Sequence, residues 1–123
     1  WLARRSNVIV VEAGRDVQLS IQQMAQALRM GGNLLIFPEG TRTADGRLGD
    51  FRSTFAALAL EMNVPVLPVA ISGAYQALPR GRRLPRFWTR VTVRFLPPVP
   101  AADRTDEPRL AEAAREAIAR QVN

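Results

Sequence analysis

The sequence predicts an α/β fold: a mainly parallel sheet of about four strands with helices packed against it. Two observations carry that prediction. Short apolar, β-branched runs alternate along the chain with segments whose apolar residues recur at helical spacing. The connections between successive runs are long enough for crossovers, which parallel strands require. The length of 123 residues is that of one domain with one hydrophobic core.

The elements follow in order. Residues 7–12 (Asn-Val-Ile-Val-Val-Glu) form a first apolar run, expected as a buried strand. Residues 17–30 place Val17, Ile21, Met24, Ala25 and Leu28 on one helical face, with Asp16 as N-cap and Gly31-Gly32 as the stop. Residues 33–37 (Asn-Leu-Leu-Ile-Phe) are a second strand candidate, cut short by Pro38. A polar loop with Gly40, Gly46 and Gly49 occupies 38–50. Residues 51–62 carry Phe51, Phe55, Leu58 and Met62 at helical spacing behind Asp50, the expected cap. Residues 64–72 are apolar and β-branched but contain Pro65 and Pro68, so the regular strand is expected at about 67–72. Residues 90–96 alternate Val91, Val93 and Phe95 with Thr92 and Arg94, a strand with one wet face. Pro97, Pro98 and Pro100 end it, and Leu110, Ala113, Ala114, Ala117 and Ile118 define a last amphipathic helix over 107–121. Met24, Met30 and Met62 read as core filler.

Composition narrows the chemistry. The chain is 47% hydrophobic and 23% charged, which is ordinary for a globular domain. It has no His and no Cys, which excludes a Ser-His-Asp triad, a thiolate nucleophile, a zinc finger and disulfides within these residues. No apolar run approaches the ~18 residues of a membrane-spanning helix.

The net charge of +6 is local. All 17 basic residues are Arg, and no acidic residue lies between Glu61 and Asp103. Six Arg fall in that gap, all within 80–94; without them 11 Arg balance 11 acids. Leu84, Pro85, Phe87 and Trp88 are interleaved with them. Arg82, Arg83, Arg86 and Trp88 are therefore candidates for contact with a membrane or a phosphate; a solvated Arg-rich loop is the alternative. Nucleic acid is not expected as a partner: the chain has only eight aromatic residues, 2 Trp, 1 Tyr and 5 Phe, and no helix-turn-helix or RRM pattern.

Ligands of open parallel sheets bind beyond the carboxyl ends of the strands. The loop after 33–37 occupies such an end and reads Phe37-Pro38-Glu39-Gly40-Thr41-Arg42-Thr43. Gly40 permits unusual dihedrals and close backbone approach. Successive N–H groups after it suit an anion, and Arg42 offers a planar fork of donors for phosphate. Glu39 either accepts from a ligand hydroxyl or orients Arg42. A Gly- and Thr-rich turn with Glu39 and Arg42 paired for stability remains open on these residues alone.

Residues 37–43 resemble the third signature block of the glycerolipid acyltransferases, the glycerol-3-phosphate and 1-acylglycerol-3-phosphate O-acyltransferases and their relatives. Leu34-Leu35-Ile36 before it, Asp45-Gly46-Arg47 and Phe51-Arg52 after it, and Val64-Pro65-Val66-Leu67-Pro68-Val69-Ala70-Ile71-Ser72-Gly73, which resembles the fourth block, agree with that family. The resemblance covers about residues 7–100. The second block is only partly matched: Glu12 is followed by Ala13, and Arg15 arrives late. The first block, His-x4-Asp, has no counterpart here. In the family its His is the general base on the acceptor hydroxyl.

The resemblance thus implies a truncated glycerol-3-phosphate acyltransferase-like fold, with 1–123 a partial acyltransferase domain and Trp1-Leu2 the tail of the connection from the first block to the second. It implies acyl transfer from an acyl-CoA or acyl-ACP co-substrate, with no other cofactor and no metal, to a glycerol-phosphate or lysophospholipid hydroxyl. Glu39, Gly40, Thr41 and Arg42 would bind the acceptor, with no catalytic residue on this chain. It also implies a cytoplasmic location, peripheral on the inner face of the cell membrane. A missing N-terminal part would expose a sheet edge or an apolar face, so oligomerisation is expected. A non-catalytic membrane- or phosphate-binding module using 80–94 is the other reading.

Overall fold

The structure, a computed structural model, describes residues 17–101 and 106–122. The chain divides into two units, residues 1–36 and 37–123. The expected strand at 7–12, the Asp16 cap and Arg15 lie outside the described residues.

The first unit contains helix α1, Val17–Arg29. Its buried and half-buried residues, Ser20, Ile21, Met24, Ala25, Ala27 and Leu28, form one stripe. Its end is a Schellman motif: Gly31 N–H donates to Leu28 O (3.0 Å) and Gly32 N–H to Ala27 O (2.9 Å), with Gly31 at φ 79°. The Gly-Gly pair therefore stops the helix as expected. Met30 falls past that stop and is exposed, so it is not core filler.

Residues 33–37 are not a strand. A strand exists only through its ladder, and among the described residues no segment pairs with this one. Leu35, Ile36 and Phe37 are accordingly exposed.

The second unit holds the remaining elements: α2 (Thr54–Met62), β1 (Val69–Ser72), α3 (Ala74–Ala77), β2 (Thr92–Phe95) and α4 (Glu107–Val122). Helix α2 begins three residues later than its apolar spacing suggests. Ser53 is the N-cap position, and Asp50 is not a cap. Phe51 precedes the helix and meets Phe55 edge-on, ring centroids 6.3 Å apart. At the C-terminus Asn63 adopts the left-handed conformation (φ 49°), and its N–H and that of Val64 reach back to Leu60 O and Ala59 O. Helix α4 is capped by Asp106, whose Oδ1 accepts from Arg109 N–H at 2.8 Å.

Among the described residues the sheet has two strands, and they are antiparallel, with Val69 opposite Phe95 and Ile71 opposite Val93. The α/β class holds, while a mainly parallel sheet of about four strands is not what the described residues form. The segment between β1 and β2 holds only the short helix α3 and an irregular excursion, so the chain turns back rather than crossing over. Pro68 cannot donate to a ladder, and β1 starts just after it; Pro68 O accepts from Leu96 N–H at 3.0 Å. Val66 and Val99 form an isolated bridge upstream, exchanging bonds of 2.9 and 2.7 Å. β2 is exposed on both faces rather than one: Val93 and Phe95 on one side, Thr92 and Arg94 on the other. Arg94 Nη1 still reaches Gln121 Oε1 of α4 at 3.0 Å.

The core is built from small residues. Ala56 and Ala59 of α2, Ala101, and Leu110 and Ala111 of α4 are buried together, ringed by Phe55, Leu60, Val64, Val66 and Val99. Alanine at the contact lets α2 and α4 approach closely, and α4 also lies against β1. Among the described residues Leu110 is the largest side chain that is fully enclosed.

Candidate functional site

The 37–50 loop is held at its two ends before it offers anything to a ligand. Phe37 O accepts Gly40 N–H at 3.1 Å, closing a turn, and Pro38 O accepts Arg52 N–H at 2.9 Å. Gly40 sits at φ 68°, a conformation that favours glycine, and a Cβ there would lie 3.0 Å from Arg52 Nε. Glu39 Oε2 then spans the loop to accept Gly49 N–H at 2.8 Å. A side chain at Gly49 would press on that carboxylate, again at 3.0 Å.

The distal half of the loop has its own network. Asp45 Oδ1 accepts from Thr43 Oγ1 and from Arg47 N–H, both at 3.0 Å, and Thr43 Oγ1 accepts from Gly46 N–H at 3.0 Å. These bonds, the Arg47 N–H foremost and the Thr43 hydroxyl next, stabilise the Asp45 carboxylate and hold its pKa below the ordinary value. Tyr75 of α3 donates its hydroxyl to Ala44 O at 3.0 Å and lays its ring against Gly46. Arg115 of α4 closes the other side, donating to Gly49 O at 3.2 Å beside Asp50 (4.0 Å).

Glu39, Thr41, Arg42, Thr43, Asp45, Arg47, Gly49 and Asp50 line an open depression of about 520 Å³, together with Arg80 from the basic segment. All the sequence-predicted acceptor residues except Gly40 are in that lining. The alternative in which Glu39 orients Arg42 is not what forms: Glu39 engages Gly49. Among the described residues no carboxylate lies within 4.0 Å of Arg42 or Arg80. Arg47, by contrast, sits 3.8 Å from Asp45.

Arg82, Arg83, Arg86 and Trp88, the other predicted contact residues, are all exposed and do not line the depression. Tyr75 and Arg115 carry no mark in the sequence, and Arg80 stands out there only as one of the six arginines of 80–94. Each lies about 30 to 65 positions from the atom or loop it meets, a separation that no local pattern marks.

The Acyltransferase family model matches residues 1–72. The chain is 37% identical over 94 residues to the 1-acyl-sn-glycerol-3-phosphate acyltransferase of Limnanthes alba, covering 70% of this chain and 32% of that protein. It is 42% identical over 80 residues to the lyso-ornithine lipid O-acyltransferase of Pseudomonas aeruginosa, covering 64% of this chain and 31% of that one. The crystal structure of the 1-acyl-sn-glycerophosphate acyltransferase PlsC of Thermotoga maritima superposes with a TM-score of 0.81 at 30% identity, over 98% of this chain and 48% of the other. The chain thus spans about a third of the length of these curated relatives and about half of the solved one. With its glycine-dependent loop and the Arg42 depression set on a fold shared with PlsC, the chain belongs to the glycerolipid acyltransferase family.

Proposed function

We propose that the chain is the acceptor-binding part of a longer O-acyltransferase domain. The reaction moves a fatty acyl group from an acyl-CoA or acyl-ACP thioester to a hydroxyl of glycerol phosphate or a lysophospholipid. The hydroxyl oxygen forms the new C–O bond, the C–S bond breaks, the thiol leaves and a base takes the hydroxyl proton. The 123 residues contain no histidine. In this reading the base is the His of a His-x4-Asp block on a segment outside them, so the chain alone is expected to show no acyl transfer. The protein is taken to work in the cytoplasm, at the inner face of the membrane.

The observation that carries the reading is Arg42: a guanidinium with no carboxylate nearby among the described residues, on the wall of a depression whose loop is tied down at both ends. A phosphate bound there gains charge-assisted hydrogen bonds without having to displace a carboxylate partner. Glu39 holds Gly49 through Oε2, which leaves Oε1 to accept a hydroxyl of the glycerol part. Thr41 and Thr43 add hydroxyls to the same wall.

In the full-length enzyme, Arg42→Ala removes a charged contact worth about 1.5–3 kcal/mol. The KM for the phosphorylated acceptor should rise about 10- to 100-fold, with kcat much less affected. An unchanged KM in a folded variant removes Arg42 from the acceptor site.

A further inference from the structure

Between α3 and β2 the chain makes an excursion whose base is fastened and whose tip is bare. Arg86 N–H donates to Ala77 O at 2.7 Å, and Gly73, at φ 84°, lies so close to Arg90 O that a Cβ there would clash with it. Above that base a Pro79–Arg82 turn (3.1 Å) uses Gly81 at φ 92°. Every residue from Arg80 to Trp88 is exposed, and Leu84, Phe87 and Trp88 present their apolar bodies to solvent.

Trp88 is the telling residue. It adopts the left-handed conformation at φ 69°, which is unfavourable for a bulky L-residue, yet its indole is fully exposed. No packing within the described structure offsets that strain, so the conformation serves to present the ring outward. Arg82, Arg83, Arg86 and Arg90 are interleaved along the chain with these exposed apolar residues. None of them pairs with a carboxylate among the described residues, and no acidic residue occurs between Glu61 and Asp103.

We propose that residues 80–90 are a docking prong for an anionic lipid bilayer. Leu84, Phe87 and Trp88 enter the boundary between headgroups and acyl chains, and the arginines meet lipid phosphates. A bilayer satisfies the apolar tip and the arginines at once. A second copy of the chain would oppose the same uncompensated positive charge to itself. The prong starts at the acceptor depression, since Arg80 lines it and Tyr75 holds Ala44. Docking therefore brings that depression to the surface where a lipid acceptor resides; this last consequence rests on the proposed function, while the docking itself does not.

The test uses the chain carrying Trp1→Phe, which leaves Trp88 as its single tryptophan. Vesicles of phosphatidylcholine alone are compared with vesicles containing equal parts phosphatidylglycerol, some with brominated acyl chains. Trp88 emission should shift to the blue and be quenched by the brominated chains in the anionic vesicles. With about fivefold in partitioning per arginine near an anionic surface, Arg82→Gln, Arg83→Gln and Arg86→Gln together should lower sedimentation with those vesicles about 100-fold. Trp88→Gly should lower it too while leaving the urea midpoint unchanged or higher, because glycine is at ease at positive φ.

Equal partitioning onto neutral and anionic vesicles overturns the proposal. So does an unquenched Trp88, or binding retained in the triple variant. Absent vesicle binding with an Arg-dependent dimer assigns the prong to a second copy, and absent vesicle binding with Arg-dependent capture of poly-glutamate assigns it to an acidic protein. Raised acceptor KM in Arg42→Ala together with any of these results leaves the acyl-transfer reading standing and removes only the docking.

Discussion

Glu39 spans the 37–50 loop, and two substitutions separate its charge from its reach. The bond from Gly49 N–H to Glu39 Oε2 is 2.8 Å long and joins residues ten apart. Charge-assisted bonds contribute about 1.5–3 kcal/mol and neutral ones about 0.5–1.5 kcal/mol. Glu39 is only half-buried, so values near the lower ends apply. Glu39→Gln keeps an acceptor oxygen in place and should weaken the closure by about 1 kcal/mol; Glu39→Ala removes it and should cost about 1.5 kcal/mol. If loop opening governs exchange, the Gly49 amide should exchange about 5-fold faster in Glu39→Gln and about 12-fold faster in Glu39→Ala. Native-state hydrogen exchange read by NMR measures both. Equal Gly49 exchange rates in the wild-type chain and Glu39→Ala would refute the claim that this carboxylate closes the loop. A Gln variant as fast as the Ala variant would refute the part assigned to charge alone.

Other predictions address the scaffold. Leu110→Ala empties a fully enclosed position between α2 and α4 and should lower stability by about 3 kcal/mol, read from the urea midpoint. Gly73→Ala combines a positive φ with a clash on Arg90 O and should cost about 3 kcal/mol or more, with loss of β1–β2 pairing visible in exchange of the Ile71 and Val93 amides. The Asp45 carboxyl is more acidic in the folded chain than its ordinary value of 3.8. Its contribution to loop order is therefore complete at neutral pH and is lost as pH falls through the lowered folded-state value. Exchange of the Gly46 and Arg47 amides, corrected for intrinsic rates, should show protection disappearing only below pH 3.8; loss at higher pH would contradict the network around Asp45.

Much of this architecture was legible in the residues. Helical spacing placed α1, α2 and α4 to within a few positions, because burial of one face is a periodic and local demand. Gly31-Gly32 marked the end of α1 for a similar reason: the Schellman turn needs a residue at positive φ, and that need is written at one position. The residue types of 37–43 suit an anion but leave a stabilising turn open on their own; the resemblance to the third signature block is what singles out this loop. The start of α2 was misjudged because Phe51 continues the apolar spacing while its backbone is still engaged in the loop, where Pro38 O takes the Arg52 N–H.

The chain's own letters determined which segments are helical, where the glycine-rich 37–50 loop lies and that its positive charge gathers in 80–94. These are properties of neighbouring residues: apolar period, backbone permissiveness and charge per length. Only the tertiary structure decided that β1 and β2 run antiparallel, that 33–37 finds no ladder among the described residues, that Glu39 closes on Gly49 instead of pairing with Arg42, and that Tyr75, Arg80 and Arg115 join the loop from distant positions. Each of those outcomes requires a partner far along the chain. A hydrogen-bond ladder or an ion pair belongs to two segments at once, and which two meet is settled by how the small-residue core lets the elements close on each other.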